Sequence, residues 1–154
     1  TTGLPVDALY LEVTETVLAA EEQIAEILQP LAAMGVKCSL DDFGTGHSSL
    51  SRLRQLEVDR VKIDRSFVMD ITDADSEGAP LLGSIIGLAH SVGLKVVAEG
   101  VETRGQADFL AANGCEELQG YFFSRPLTAG QVPTAFPAGA LSTSEPPARE
   151  PASA

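Results

Sequence analysis

The chain has 154 residues, 44% of them hydrophobic and none of them Trp, with 22 Asp and Glu against 10 Lys and Arg for a net charge of −12. That is enough apolar material for one globular core and too little length for two ordinary domains. An acidic chain without a Lys/Arg cluster is a poor candidate for binding a nucleic-acid backbone, so any phosphate group it handles is expected to be met through divalent cations.

Cys38 and Cys115 form neither a zinc spacing nor a disulfide framework, and a reducing cytoplasm is the expected setting. The longest apolar stretch, Leu81 to Ala89, is too short and too Gly-broken to span a bilayer. No signal peptide is visible, and a strand follows Thr1 almost at once, which reads as a fragment of a longer protein.

Strand-like runs and helical patterns alternate. The strands are expected at Ala8–Val13, Val36–Asp41, Val58–Asp64, Leu94–Glu99 and Glu116–Gln119. Between the first two, Glu21 to Met34 sets Ile24, Ile27, Leu28, Leu31 and Met34 on one stripe, with Pro30 as a kink point and Gly35 as the stop. Further helices are expected at Ser48–Leu56, at Pro80–Val92 ending on Gly93, at Thr103–Ala112 ending on Asn113-Gly114, and at Thr128–Phe136. The order β-α-β-α-β-α-β-α-β calls for parallel βαβ units in one α/β domain over residues 1–136. Residues 137–154, rich in Pro, Ala, Ser and Glu, read as a disordered tail.

Alternation along each strand separates two faces. Leu11 and Val13, Cys38 and Leu40, Val61 and Ile63, Val96 and Ala98, and Leu118 form apolar faces that would meet helices. The opposite faces end in Glu12, Asp41, Lys62 with Asp64, Glu99 and Gln119. Polar residues at successive strand ends describe either the mouth of a (β/α) barrel or the crevice of an open sheet. A single polar strand end is explained by solvent alone. Five in register are not: clustered carboxylates repel one another unless a cation sits among them. Glu12, Asp41, Asp42 and Glu99 beside Lys62 therefore form a candidate Mg²⁺ or Mn²⁺ site.

Five motifs then occur in order: LEVTE from Leu11, DDFGTGHSSL from Asp41, VKIDRSF from Val61, VAEGVET from Val97 and QGYFFSRP from Gln119. Together they resemble the C-terminal portion of an EAL domain, the bacterial cyclic-di-GMP phosphodiesterase family, over about Leu9 to Leu127. The Gly-Thr-Gly turn lacks the GK[ST] of a P-loop, which removes a nucleoside-triphosphate reading. The resemblance implies a partial TIM-type (β/α) barrel of about five parallel strands with its N-terminal strands missing. No Glu-Ala-Leu segment occurs in the sequence, and the family's metal-binding Asn cannot be placed in it.

By the same resemblance, Glu12 and Asp41 are metal ligands, with Asp41 bridging two ions, and Asp42 and Glu99 serve the second ion or its water. Lys62 orients the attacking water, Glu15 braces the loop after Asp42, and Asp64, Glu102 and Gln119 line the site. The implied activity is two-metal hydrolysis of cyclic-di-GMP to linear pGpG with Mg²⁺ or Mn²⁺, in bacterial signalling. The alternative is a catalytically inactive domain that acts as a cyclic-di-GMP receptor or protein-interaction module. The family also implies a homodimer involving the 42–50 loop, and upstream sensory or GGDEF domains that leave membrane tethering of the parent open. His47 stands where the family has Tyr and reads as a structural substitution. The 154 residues alone are expected to be inactive.

Other residues read plainly. His90 lies on an apolar helix, the cysteines are small core residues, and Tyr121, Phe122 and Phe123 read as packing before base stacking. Asp70, Asp73, Asp75 and Glu77 form a solvated acidic loop.

Overall fold

A computed structural model of the chain describes residues 3–20, 24–44, 58–71 and 76–136. Among them are five strands, β1 (Tyr10–Thr14), β2 (Lys37–Phe43), β3 (Arg60–Ile63), β4 (Lys95–Ala98) and β5 (Glu117–Leu118). They form one sheet in chain order, every pair parallel. A sequential order has no reversal point of the kind that makes a crevice in a doubly wound sheet, so the geometry is that of a barrel wall.

The helices are α1 (Glu15–Ala20), α2 (Ile24–Ala33), α3 (Arg65–Met69), α4 (Ala79–Ser91), α5 (Arg104–Ala112) and α6 (Val132–Ala135). The helix–strand frame matches the sequence reading, with corrections. Val6–Ala8 turn as a 3-10 segment after Pro5, which delays β1 to Tyr10. The second strand runs on to Phe43, the third stops before Asp64, and the fifth shrinks to two residues. The last helix holds only Val132–Ala135. Two short helices, α1 and α3, were not foreseen: each starts within one residue of a strand end, too short for a periodic stripe. The expected helix at Ser48–Leu56, residues 45–50 of the loop, His47, Asp73, Asp75 and the tail 137–154 lie outside the described residues.

Helix ends obey local rules. α2 continues through Pro30, and Gly35 (φ 91) closes it with a bond to Ala32 O at 2.8 Å. Gly93 (φ 83) ends α4 in the same way on His90 O. Thr103 caps α5 in a reciprocal capping box with Gln106. Gln106, 5% exposed, also donates from Nε2 to Val68 O at 3.1 Å, which ties the start of α5 to α3.

The core lies between the helices and one face of the sheet. Leu40, Val61, Ile63, Val96 and Ala98 are fully buried there against Val68, Leu82, Ile86, Ala89 and Leu110. In α4 the buried positions Leu82, Ile85, Ile86 and Ala89 follow the i, i+3, i+4, i+7 stripe. Each large side chain so buried contributes about 1.5–3 kcal/mol. With the apolar face spent on helices, the other face of the sheet is left for polar residues.

Candidate active site

Glu12, Asp41, Lys62 and Glu99 come together. The Lys62 ammonium lies 2.9 Å from Glu12 Oε1, 3.1 Å from Asp41 Oδ1 and 2.8 Å from Glu99 Oε1. Its side chain is 8% exposed. Three carboxylates from three different chain segments thus converge on one buried cation. Burial opposes the charge on Lys62, but the hydrogen bonds it donates to Glu99, Glu12 and Asp41 outweigh it and lift the pKa above the usual lysine range.

The strands explain the convergence. Thr14 pairs with Asp41, Arg60 with Lys95 and Lys62 with Val97, so the residues of interest share the face opposite the core. Glu99, just past β4, is held by its N–H on Ile63 O at 3.1 Å, next to Lys62.

A β-bulge sets the aspartates. Leu40 pairs with Val61 and Phe43 with Ile63, so β2 carries one residue more than β3 between the two pairs. Without the extra residue, Leu40 and Phe43 would face opposite sides; with it both are buried, 0% and 6% exposed. Asp41 and Asp42 are the residues left between them. Asp42 takes a left-handed conformation, φ 58, and its N–H donates to Asp41 Oδ1 at 3.1 Å. Non-glycine residues rarely adopt that region, and Asp tolerates it better than most.

The remaining expected residues stand elsewhere. Glu15, 4% exposed, accepts the N–H of Gly44 at 3.3 Å, beyond the bulge. Asp64 is the N-cap of α3 and accepts from Ser66 N–H at 2.9 Å; the bonds from Ser66 hold its carboxyl below the usual range. Glu102 is exposed and gives its N–H to Gln106 Oε1. Gln119 has an exposed side chain, while its backbone bonds Ala98 O and Val101 N–H.

A second polar layer was missed. Arg60 donates to Ser39 Oγ at 3.2 Å and to Glu117 Oε2 at 2.8 Å, and its guanidinium lies 3.6 Å from the Tyr10 ring centroid. Alternation puts Tyr10, Ser39 and Glu117 on the polar face; Arg60, two residues before Lys62, was the signal left unused.

Other residues are structural. His90 Nε2 lies 3.3 Å from Glu116 Oε1, and Glu116 also accepts Val96 N–H at 2.8 Å. Burial raises the Glu116 pKa, but the Val96 and His90 bonds leave it below the usual range. Cys38 is buried, and its thiol pKa is raised by burial and by Asp59. Burial pushes the Cys115 thiol up to about 11.

The donor set fits a hard divalent cation in kind: Glu12 on β1, Asp41 and Asp42 on β2 and Glu99 just past β4 offer only carboxylate oxygens. Here Glu12, Asp41 and Glu99 turn to the Lys62 ammonium. Among the described residues no three Asp, Glu, His or Cys side chains are gathered into a cage of their own.

Comparison with known proteins agrees with this architecture. Cyclic di-GMP phosphodiesterase NbdA of Pseudomonas aeruginosa (strain PAO1) is 51% identical over 126 residues, which are 81% of this chain and 16% of that protein. Signaling protein YkoW of Bacillus subtilis is 45% identical over 83% of the chain and 16% of its own length. Among solved structures, the PaMucR phosphodiesterase in complex with c-di-GMP superposes with a TM-score of 0.76 at 44% identity, over 84% of this chain and 52% of that one. BlrP1 of Klebsiella pneumoniae, solved with manganese and cy-diGMP and with calcium and cy-diGMP, gives a TM-score of 0.71 at 37% identity, over 80% of this chain and 32% of that one. The chain therefore spans about half of one solved relative and a much smaller share of the curated relatives. The EAL domain family matches residues 1–126, and the chain belongs to that family.

Proposed function

We propose that this chain supplies one side of a cyclic-di-GMP phosphodiesterase site, in which Glu12, Asp41, Asp42 and Glu99 hold divalent cations and Lys62 orients the attacking water. The observation that supports it most is the contact of Lys62 with Glu12, Asp41 and Glu99 at 2.8–3.1 Å. Mg²⁺ or Mn²⁺ bound there would supply Lewis acidity for hydrolysis of the 3′,5′-phosphodiester to pGpG.

The chain's own residues then have distinct tasks. Four carboxylates reverse their local charge only by binding cations, which lets a −12 chain accept an anionic substrate. Lys62, kept charged by its neighbours, is a fixed hydrogen-bond donor at the centre of the rim. Glu15 fixes Gly44 and with it the backbone leaving the Asp41–Asp42 bulge. Asp64, Glu102 and Gln119 frame the rim.

The same proposal includes Mg²⁺ alongside Mn²⁺, a homodimer through the barrel and the 42–50 loop, upstream sensory or GGDEF domains, and a cytoplasmic setting. Among the described residues no helix is long and apolar enough to cross a membrane.

The test compares the 154-residue chain with a complete EAL domain that contains it, each given cyclic-di-GMP with Mg²⁺ or Mn²⁺, with pGpG followed by chromatography. Turnover by the complete domain, lost in Lys62→Ala and absent from the chain alone, is the expected result. The chain lacks the Glu-Ala-Leu glutamate and the metal-binding Asn, which accounts for the last part. Cyclic-di-GMP binding without pGpG would replace the enzyme with a receptor. Neither binding nor turnover by the complete domain would overturn the reading.

A further inference from the structure

We propose that Arg60 is a positioning residue, the hub of an inner polar layer that holds Lys62 and its carboxylates in place. The inference rests on the reading of Lys62 as a member of the reaction site.

Tyr10, Ser39, Arg60 and Glu117 each stand two residues ahead of Glu12, Asp41, Lys62 and Gln119 on their strands. With a rise of about 3.3 Å per residue, the inner layer lies about 6.6 Å below the rim on the same face. The Arg60 side chain, 14% exposed, joins all of its members. It bonds Ser39 Oγ on β2, pairs with Glu117 on β5 and stacks on the Tyr10 ring of β1. Its bond to Glu117 passes over β4, where Val97 faces the same side and is 4% exposed. One planar, permanently charged group thus connects the strands that carry Glu12, Asp41, Lys62 and Gln119. Arginine suits the task because its fork and flat face work at once, which a lysine cannot reproduce. Lys37 approaches the same Tyr10 ring at 5.4 Å, so the layer is cationic and aromatic below a rim that is anionic.

The test uses the chain's three lysines, Lys37, Lys62 and Lys95. Selective ¹⁵N labelling gives three ammonium signals, and proton exchange with water is measured at one fixed pH. The Lys62 ammonium, buried and triply bonded, exchanges more slowly than exposed Lys95. Arg60→Met is expected to accelerate Lys62 exchange by about tenfold, the weight of roughly one charge-assisted hydrogen bond. Arg60→Lys, which keeps the charge without the fork, restores part of the protection. Alkylation of buried Cys38, on the opposite face of β2, reports general loosening and is expected to stay at its original rate.

Lys62 exchange within about twofold of the unsubstituted chain in a folded Arg60→Met variant would overturn the proposal, as would acceleration matched by Cys38. Should Arg60→Met fail to fold, Glu117→Gln decides by the same two readouts, since Glu117 is half-exposed and its change keeps the side chain's volume. Neither readout involves cyclic-di-GMP or a metal, so this result stands apart from the turnover test.

Discussion

The carboxylate of Glu15, at the first position of α1, accepts the N–H of Gly44 across 29 residues of chain, at 3.3 Å. The bond ties the start of a helix to the exit of the bulged strand that carries Asp41 and Asp42. Glu15 is 4% exposed, so its loss is not made good by bulk water. Glu15→Ala is expected to cost about 1–3 kcal/mol in urea unfolding, and Glu15→Gln, which keeps an acceptor oxygen, clearly less. Equal losses in both variants would show that the charge rather than the hydrogen bond matters.

Lys62 carries a pH signature. Its folded pKa is raised above the ordinary 10.5 by hydrogen bonds that outweigh burial. The stability it contributes is therefore complete below about pH 10.5 and declines as pH rises toward the folded value, because the unfolded chain releases its proton first. Urea midpoints between pH 9 and 12 should fall more steeply for the unsubstituted chain than for Lys62→Met. At pH 7, Lys62→Met should cost about 2 kcal/mol, less than a fully buried pair because Glu12 remains 48% exposed.

Strand alternation made Glu12, Asp41, Lys62 and Glu99 legible in the sequence. A parallel strand with one face against helices must present the other residues of the repeat to the opposite side. The bulge was not legible. Extending β2 beyond Asp41 needs Leu40 and Phe43 on the same face, and only the pairing with Val61 and Ile63 reveals the extra residue. Asp64 continues the alternation of β3 on paper, yet it leaves the strand because its carboxylate caps α3. Arg60 opens β3 and has no partner close to it in the sequence. Its place in the inner layer depends on partners 21 and 57 residues away, a separation that no local pattern encodes.

Asp42 sets stability against chemistry. Its φ of 58 is a conformation that glycine adopts freely and other residues adopt at a cost. Asp42→Gly should raise the stability of the chain by about 0.5–1 kcal/mol in urea unfolding. The same substitution deletes a proposed cation ligand, so a complete domain carrying it should need more Mn²⁺ for half-maximal turnover. A variant that lost stability would show that the Asp42 side chain contributes more to the fold than its backbone costs.

Gly120 admits no side chain. A Cβ there would meet the backbone of Val101, both its carbonyl oxygen and its nitrogen. That contact lies where Val101 N–H bonds Gln119 O at 3.0 Å and Phe122 N–H bonds Val101 O at 2.9 Å. Backbone cannot swing aside as a flexible side chain can, so Gly120→Ala should be among the costlier single changes, about 3 kcal/mol or more. Thermal unfolding checks it, with Gly87→Ala as control: nothing lies within 4 Å of its Cβ, and Ala is the better helix former in α4.

Asp64 gives the acid counterpart to Lys62. Its carboxylate caps α3 through Ser66 N–H, and those bonds hold its pKa below the ordinary 3.8. A depressed carboxyl contributes stability that is complete above the unfolded value and lost as pH falls through the folded one. Asp64→Ala should therefore cost about 1 kcal/mol at pH 7, the usual weight of an N-cap. The gap between the two proteins should narrow as the pH drops below about 3.8. Asp64→Asn keeps a capping oxygen without a titrating group, so it should recover most of the loss at pH 7 and show no such narrowing. Urea midpoints for the three chains between pH 2 and 7 separate the cap from the charge: if Asn fails where Asp succeeds, Asp64 acts through its charge, with Arg65 beside it, and not through the capping oxygen alone.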